Sequence, residues 1–95
     1  MKLKIFLITS DNCSKCISVK NILNKIKKEG IDLDIKEFKH NTMIAAKIAV
    51  NNGITKIPGI VIEGGKVFDG RRLRRNEIRE AIVESWKKNT KNKKK

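Results

Sequence analysis

The sequence predicts an α/β fold with the element order β-α-β-α-β-β-α, and three observations carry that prediction. An unbroken apolar run, Ile5 to Ile8, is followed a few residues later by apolar positions at three-and-four spacing. A stretch alternating with period two comes next. Near residue 60 a second apolar run is joined to a third through Gly64-Gly65. Extended runs interleaved with helical ones point to crossover units and a sheet covered by helices.

Residues 2–9 form the first strand, in which Leu3 and Ile5 alternate with lysines before the run closes up. A continuous run suits a central strand covered on both faces. Residues 10–12, Ser-Asp-Asn, turn the chain. From 14 to 29, Cys16, Val19, Ile22, Leu23 and Ile26 make one apolar stripe of a four-turn helix, and Gly30 suits its C′ position. Residues 31–36 alternate apolar and charged, as a strand with one wet face at a sheet edge does. Asn41 or Thr42 caps a short helix that runs to about Val50, and Asn52-Gly53 closes it. Residues 60–62 and 66–68 pair as a hairpin with a two-residue Gly64-Gly65 turn. Asp69-Gly70 turns the chain out, and Asn76 caps a last helix with the buried stripe Ile78, Ala81, Ile82 and Trp86.

Chemistry concentrates in Cys13-Ser14-Lys15-Cys16, which holds the only two cysteines. Residues i and i+3 of a first helical turn lie on nearly one face, so the pair can close a short disulfide. Free N–H groups and the macrodipole at a helix start favour a thiolate, which makes Cys13 the nucleophile and Cys16, one turn in, the resolving thiol. Lys15 tunes the pair as a neighbouring cation, with Asp11 close enough to oppose it. Metal is the competing reading. Tetrahedral zinc needs four ligands, and His40 is the one histidine, so a metal or iron–sulfur site requires Cys13 and Cys16 from two chains. His40 itself reads as a surface or capping residue.

Ninety-five residues, 39% of them hydrophobic, bury one modest core, so a single domain over 1–88 is expected. The apolar run near the start is too short for a signal-peptide core or a membrane span, which places the expected location in the cytoplasm. There an isolated C-x-x-C is more often catalytic than structural. Of the net charge of +13, six units come from lysines at 87–95, leaving +7 on the rest. Residues 89–95 carry no apolar anchor and read as a basic, disordered tail. A basic nucleic-acid-binding module is the third reading, disfavoured by one Trp and no Tyr to stack bases.

The chain resembles the thioredoxin-like superfamily, above all its short glutaredoxin-like members and small redox-active disulfide proteins. The resemblance covers residues 2 to about 87 and rests on Cys13-Ser14-Lys15-Cys16 after the first strand, Ile57-Pro58 before the third, the Gly64-Gly65 hairpin and the closing helix. It implies a minimal glutaredoxin-type fold: a four-stranded mixed sheet with the first strand central, flanked by three helices, the first and third on one face. It also implies a cis Ile57–Pro58 bond near the cysteines, with the backbone of Ile57 and Pro58 binding an extended substrate segment. The implied activity is a thiol-disulfide oxidoreductase without cofactor, a monomer acting on disulfide-containing proteins and recharged by a reductase, with no membrane partner. The chain departs from the family at three places. Ser14-Lys15 is neither Gly-Pro nor Pro-Tyr, Leu7 falls where thioredoxins bury an acid, and Asp69-Gly70-Arg71-Arg72 replaces the Gly-Gly and acidic segment of glutathione-binding members. The last departure favours thioredoxin-like over glutathione-dependent reduction.

Overall fold

A computed structural model describes the backbone of residues 2–93 and the side chains of residues 2–88. Seven elements follow in order: β1 Leu3–Thr9, α1 Ser14–Lys28, β2 Leu33–Lys39, α2 Met43–Asn52, β3 Gly59–Ile62, β4 Val67–Phe68 and α3 Arg75–Lys93. The strands form one mixed sheet in the order β2-β1-β3-β4. β1 pairs with β2 in parallel over its full length, and antiparallel with β3, Ile8 facing Gly59. β4 adds antiparallel to β3, Ile60 facing Phe68.

β1 is central because both its faces find cover. Leu3, Ile5 and Leu7 enter the larger cluster with Val19, Leu23 and Ile26 of α1 and Ile78, Ala81 and Ile82 of α3. Ile8 points the other way, into a smaller cluster with Ala45 of α2 and Ile54. Each fully buried Ile or Leu contributes ~1.5–3 kcal/mol relative to exposure, so the one-sided arrangement of α1 and α3 follows from where these side chains sit. The expected three helices, mixed sheet and central first strand are all present.

Several boundaries differ from the sequence expectation. β2 spans Leu33–Lys39, three residues later at its end than the alternation suggests. Its extent is set by pairing with all seven residues of β1, which local periodicity does not register. Thr42 is the cap of α2, its hydroxyl accepting the Ala45 N–H at 3.3 Å, and Gly53 ends the helix with φ +68°. The hairpin turn is shifted by one residue. Gly65 donates its N–H to the Ile62 carbonyl at 2.9 Å, so Glu63 and Gly64 are central, with Gly64 at φ +68°. Gly65 serves packing instead, since a Cβ there would overlap the hydroxyl of Ser85, and the hairpin approaches α3 through the missing side chain. Asn76 is not the cap of α3. The helix starts at Arg75, and Ile78 donates to the Arg74 carbonyl at 3.0 Å, which puts Asn76 inside the first turn.

Trp86 packs against the core as expected, and Ser85 joins the buried face. α3 runs to Lys93 and overlaps the stretch read as tail, so the helix does not stop at residue 88. Extending a packed helix adds one bond per residue without a new nucleus, and lysine is a good helix former. Residues 94 and 95 lie outside the described residues. Among the described residues no helix is long and apolar enough to cross a membrane.

Candidate active site

β1 ends at Thr9, and the chain turns through Ser10, Asp11 and Asn12 before α1 begins. Asn12 takes φ +55°, a left-handed conformation that Asn tolerates better than most residues. That turn delivers Cys13 to the N-cap of α1, with extended backbone at φ −115° and ψ 104°. Its sulfur accepts the Cys16 backbone N–H at 3.1 Å, satisfying one of the donors that a helix start leaves free. Its carbonyl accepts from Ile17 N–H at 3.3 Å. Cys13 and Cys16 are joined in a disulfide with their Cα atoms 5.2 Å apart, inside the usual range for such a bridge.

The two sulfurs differ in access. Cys16 is 3% exposed within the apolar stripe of α1, whereas Cys13 is half-buried at the surface. A partner can reach the outer cysteine and not the inner one. The nearest charge in the first turn of α1 is positive. No acidic residue lies in the first turn of α1, and Lys15 is exposed beside the pair. Asp11, expected to oppose Lys15, is instead engaged by Lys39 of β2 at 3.2 Å.

The Ile57–Pro58 peptide is cis. Gly59 pairs with Ile8, so the buried Pro58 enters the sheet at the end of β1 from which the cysteine turn departs. Ile57 is half-buried, and among the described residues neither its N–H nor its carbonyl is taken up by a hydrogen bond. The segment carrying it is held from several sides. Ile54 fills the space over Gly59, where a Cβ would meet its Cδ1 and Cγ2 at 2.9 Å. Gly70 donates to the Lys56 carbonyl at 3.1 Å, and a Cβ at Gly70 would come within 2.6 Å of the Ile57 carbonyl oxygen.

Asp69, a turn residue by its sequence context, proves to be the anchor of this segment. It is 6% exposed and accepts the Thr55 N–H at 3.1 Å, the Thr55 hydroxyl at 3.4 Å, the Arg71 N–H at 3.0 Å and the Arg71 Nε at 3.1 Å. Burial pushes its carboxyl up, but the Arg71 side chain, the two backbone donors and the Arg71 charge outweigh burial and bring the pKa to about 2. The one sequence signal for it is an Asp directly after a strand and before a Gly, with a Thr just upstream of the proline.

A second polar link leaves no signal in the sequence. The buried Thr9 hydroxyl donates to Glu37 at 2.6 Å, and Lys20 of α1 lies 2.9 Å from the same carboxylate. The Thr9 bond and then the Lys20 bond hold the Glu37 carboxyl below its ordinary value against a smaller opposing effect of burial. Glu37 stands opposite Leu7 in the β1–β2 register, and Leu7 itself is core. His40 is exposed, and its N–H donates to the Thr9 carbonyl at 2.8 Å. No group of three or more His, Cys, Asp or Glu gathers as a metal cage among the described residues.

A disulfide closing the first turn of a helix, at the sheet end where a cis-proline enters, defines a thioredoxin-like protein with a redox-capable cysteine pair. The chain belongs to the thioredoxin-domain family, whose model matches residues 1–83. An uncharacterized thioredoxin-like protein from Clostridium perfringens, solved in solution, is similar with a TM-score of 0.67 at 16% identity, over 87% of this chain and 70% of that one. At that identity the likeness is one of fold. No curated protein matches the chain.

Proposed function

We propose that the chain is a dithiol-disulfide oxidoreductase that reduces protein disulfides. The observation that carries the proposal is the half-buried Cys13 sulfur, which accepts the Cys16 N–H at the start of α1 while Cys16 is enclosed behind it. In the reduced protein the Cys13 thiolate attacks one sulfur of a partner cystine. A mixed disulfide forms, and the other partner sulfur leaves as a thiolate that takes up a proton. Cys16, deprotonated, then attacks the Cys13 sulfur and expels the second partner thiol. Two electrons have passed to the partner, and the Cys13–Cys16 disulfide remains. A dithiol reductase restores the starting state by the reverse exchange.

Lys15 supplies a cation beside the developing anion, and Ile57 and Pro58 position the substrate. An extended segment pairing with the open backbone of Ile57 would lie across the cysteine turn without requiring a given side chain. The reading fits a monomer in a reducing compartment such as the cytoplasm, where thiols are kept available. Insulin reduction by the wild type, Cys13→Ser and Cys16→Ser tests it. Activity should vanish in Cys13→Ser, and Cys16→Ser should accumulate a mixed disulfide. Equal rates for wild type and Cys13→Ser would refute the assignment.

A further inference from the structure

The strand directions sort the connecting segments into two groups. Segments 10–13, 40–42, 53–58 and 69–74 lie at the end of the sheet that carries the disulfide, and 29–32 and 63–66 at the other. At the disulfide end the segments hold Lys56, Arg71, Arg72 and Arg74 against Asp11 and Asp69. Lys39, Lys15 and Arg75 border the disulfide-end segments as the last residue of β2, the second of α1 and the first of α3.

The acids at this end are already satisfied within the chain. Asp11 pairs with Lys39 at 3.2 Å, Asp69 with Arg71 at 3.1 Å and Glu77 with Arg72 at 2.8 Å. Lys15, Lys56 and Arg75 make no ion pair among the described residues. Apolar side chains are exposed in the opening turns of two helices that begin at this end: Ile17 is 60% exposed in α1, and Met43 and Ile44 are 79% and 56% exposed where α2 starts.

We propose that this end is a docking surface for an acidic protein, one whose exchangeable cystine is flanked by Asp or Glu and adjoins an apolar contact. The proposal rests on the thiol-exchange reading above and names its substrate class. Unpaired rim cations steer an oppositely charged surface and reject a basic one, while apolar side chains near the centre exclude water from the contact. A nucleic acid would answer to the same cations, yet it has no disulfide to exchange and no use for Ile17, Met43 and Ile44.

Three cystine-bridged peptides that differ only in acidic, neutral or basic flanks test the surface. At low salt the native protein should reduce the acidic peptide about tenfold faster in kcat/KM than the neutral one, and the basic peptide slowest, with the spread closing as salt rises. In the Lys56→Ser/Arg75→Ser variant the acidic-to-neutral ratio should fall toward one. Equal rates on all three peptides overturn the docking surface and leave the oxidoreductase reading in place, whereas reduction of none refutes both. Faster reduction of glutathione disulfide than of the acidic peptide assigns the cations to a small anion and overturns the proposal. An oligonucleotide that binds and blocks all three peptides alike overturns it in favour of nucleic acid.

Discussion

Asp69 accepts the backbone N–H of Thr55 at 3.1 Å and thereby ties the turn after β4 to the segment that leads into Pro58. The two residues are fourteen positions apart, and the carboxylate between them is almost wholly buried. Its remaining lone pairs take Arg71, so the anchor is charge-assisted on both sides.

Replacing Asp69 by Asn keeps the shape and removes the charge. Hydrogen bonds to a charged group contribute ~1.5–3 kcal/mol each, and losing part of that set should lower stability by about 2 kcal/mol in urea unfolding. The Asp69→Ala variant, which strands the Thr55 N–H and the Arg71 guanidinium, should lose more. On the substrate contact proposed for Ile57, KM for a disulfide substrate should rise in both variants more than kcat falls. A change confined to kcat would mean that Asp69 does not act through substrate positioning.

The same carboxyl sets an acid limit. Its folded pKa, about 2, lies below the ordinary 3.8, so in that interval the unfolded chain binds the extra proton. The stabilisation from this group is therefore fully present above about 3.8 and lost as pH falls toward 2. Stability followed by denaturant midpoint across that window should drop more steeply in wild type than in Asp69→Asn. Parallel curves would show that the anchor does not govern the acid limb.

Much of this is legible in the sequence, for a physical reason. The unbroken run at Ile5–Ile8 and the stripe Val19, Leu23, Ile26 are consequences of burial, which writes itself into local periodicity. The cysteine pair and Pro58 are readable because few residue types can do what those positions require. Asp69 and Glu37 are not, since each acts on residues brought to it by the sheet: Thr55 across the β3–β4 side, and Thr9 from the neighbouring strand. The extra length of β2 is hidden likewise, being dictated by the register with β1 rather than by its own alternation.

The Thr9–Glu37 bond offers a second check on such hidden contacts. Thr9 is 1% exposed, and its hydroxyl lies 2.6 Å from the carboxylate that also receives Lys20. Thr9→Val preserves shape and deletes the donor, and should lower stability by about 1 to 2 kcal/mol. Glu37→Gln should cost less, as the amide oxygen can still accept from Thr9 while the partly exposed Lys20 pair contributes little. A reversed order of the two variants in thermal melts would show that the ion pair, and not the buried hydroxyl, secures this corner.

Gly70 tests how tightly the proline segment is held. Its missing Cβ would sit 2.6 Å from the Ile57 carbonyl oxygen and 3.0 Å from the Lys56 Cβ, and a backbone carbonyl cannot swing aside as a long side chain can. Gly70→Ala should therefore displace the Ile57 backbone, lowering stability by ~1–3 kcal/mol and raising KM. The cysteine pair, on its own turn, should keep its redox potential. A shifted potential with unchanged KM would place the effect of Gly70 on the cysteines rather than on the substrate segment.

The asymmetry of the two sulfurs leads to a chemical prediction on the reduced protein. Cys13 occupies the helix N-cap, where its sulfur already receives the Cys16 N–H, and it is open to solvent on one side. Cys16 sits at 3% exposure among the buried residues of α1, where an alkylating reagent must wait for local opening. Iodoacetamide should therefore label Cys13 at least about tenfold faster than Cys16, read by peptide mapping over time. Mild denaturant should speed the labelling of Cys16 far more than that of Cys13. Equal rates in native buffer would mean that the inner thiol is as accessible as the outer one, and the division into attacking and resolving cysteines would lose its structural basis.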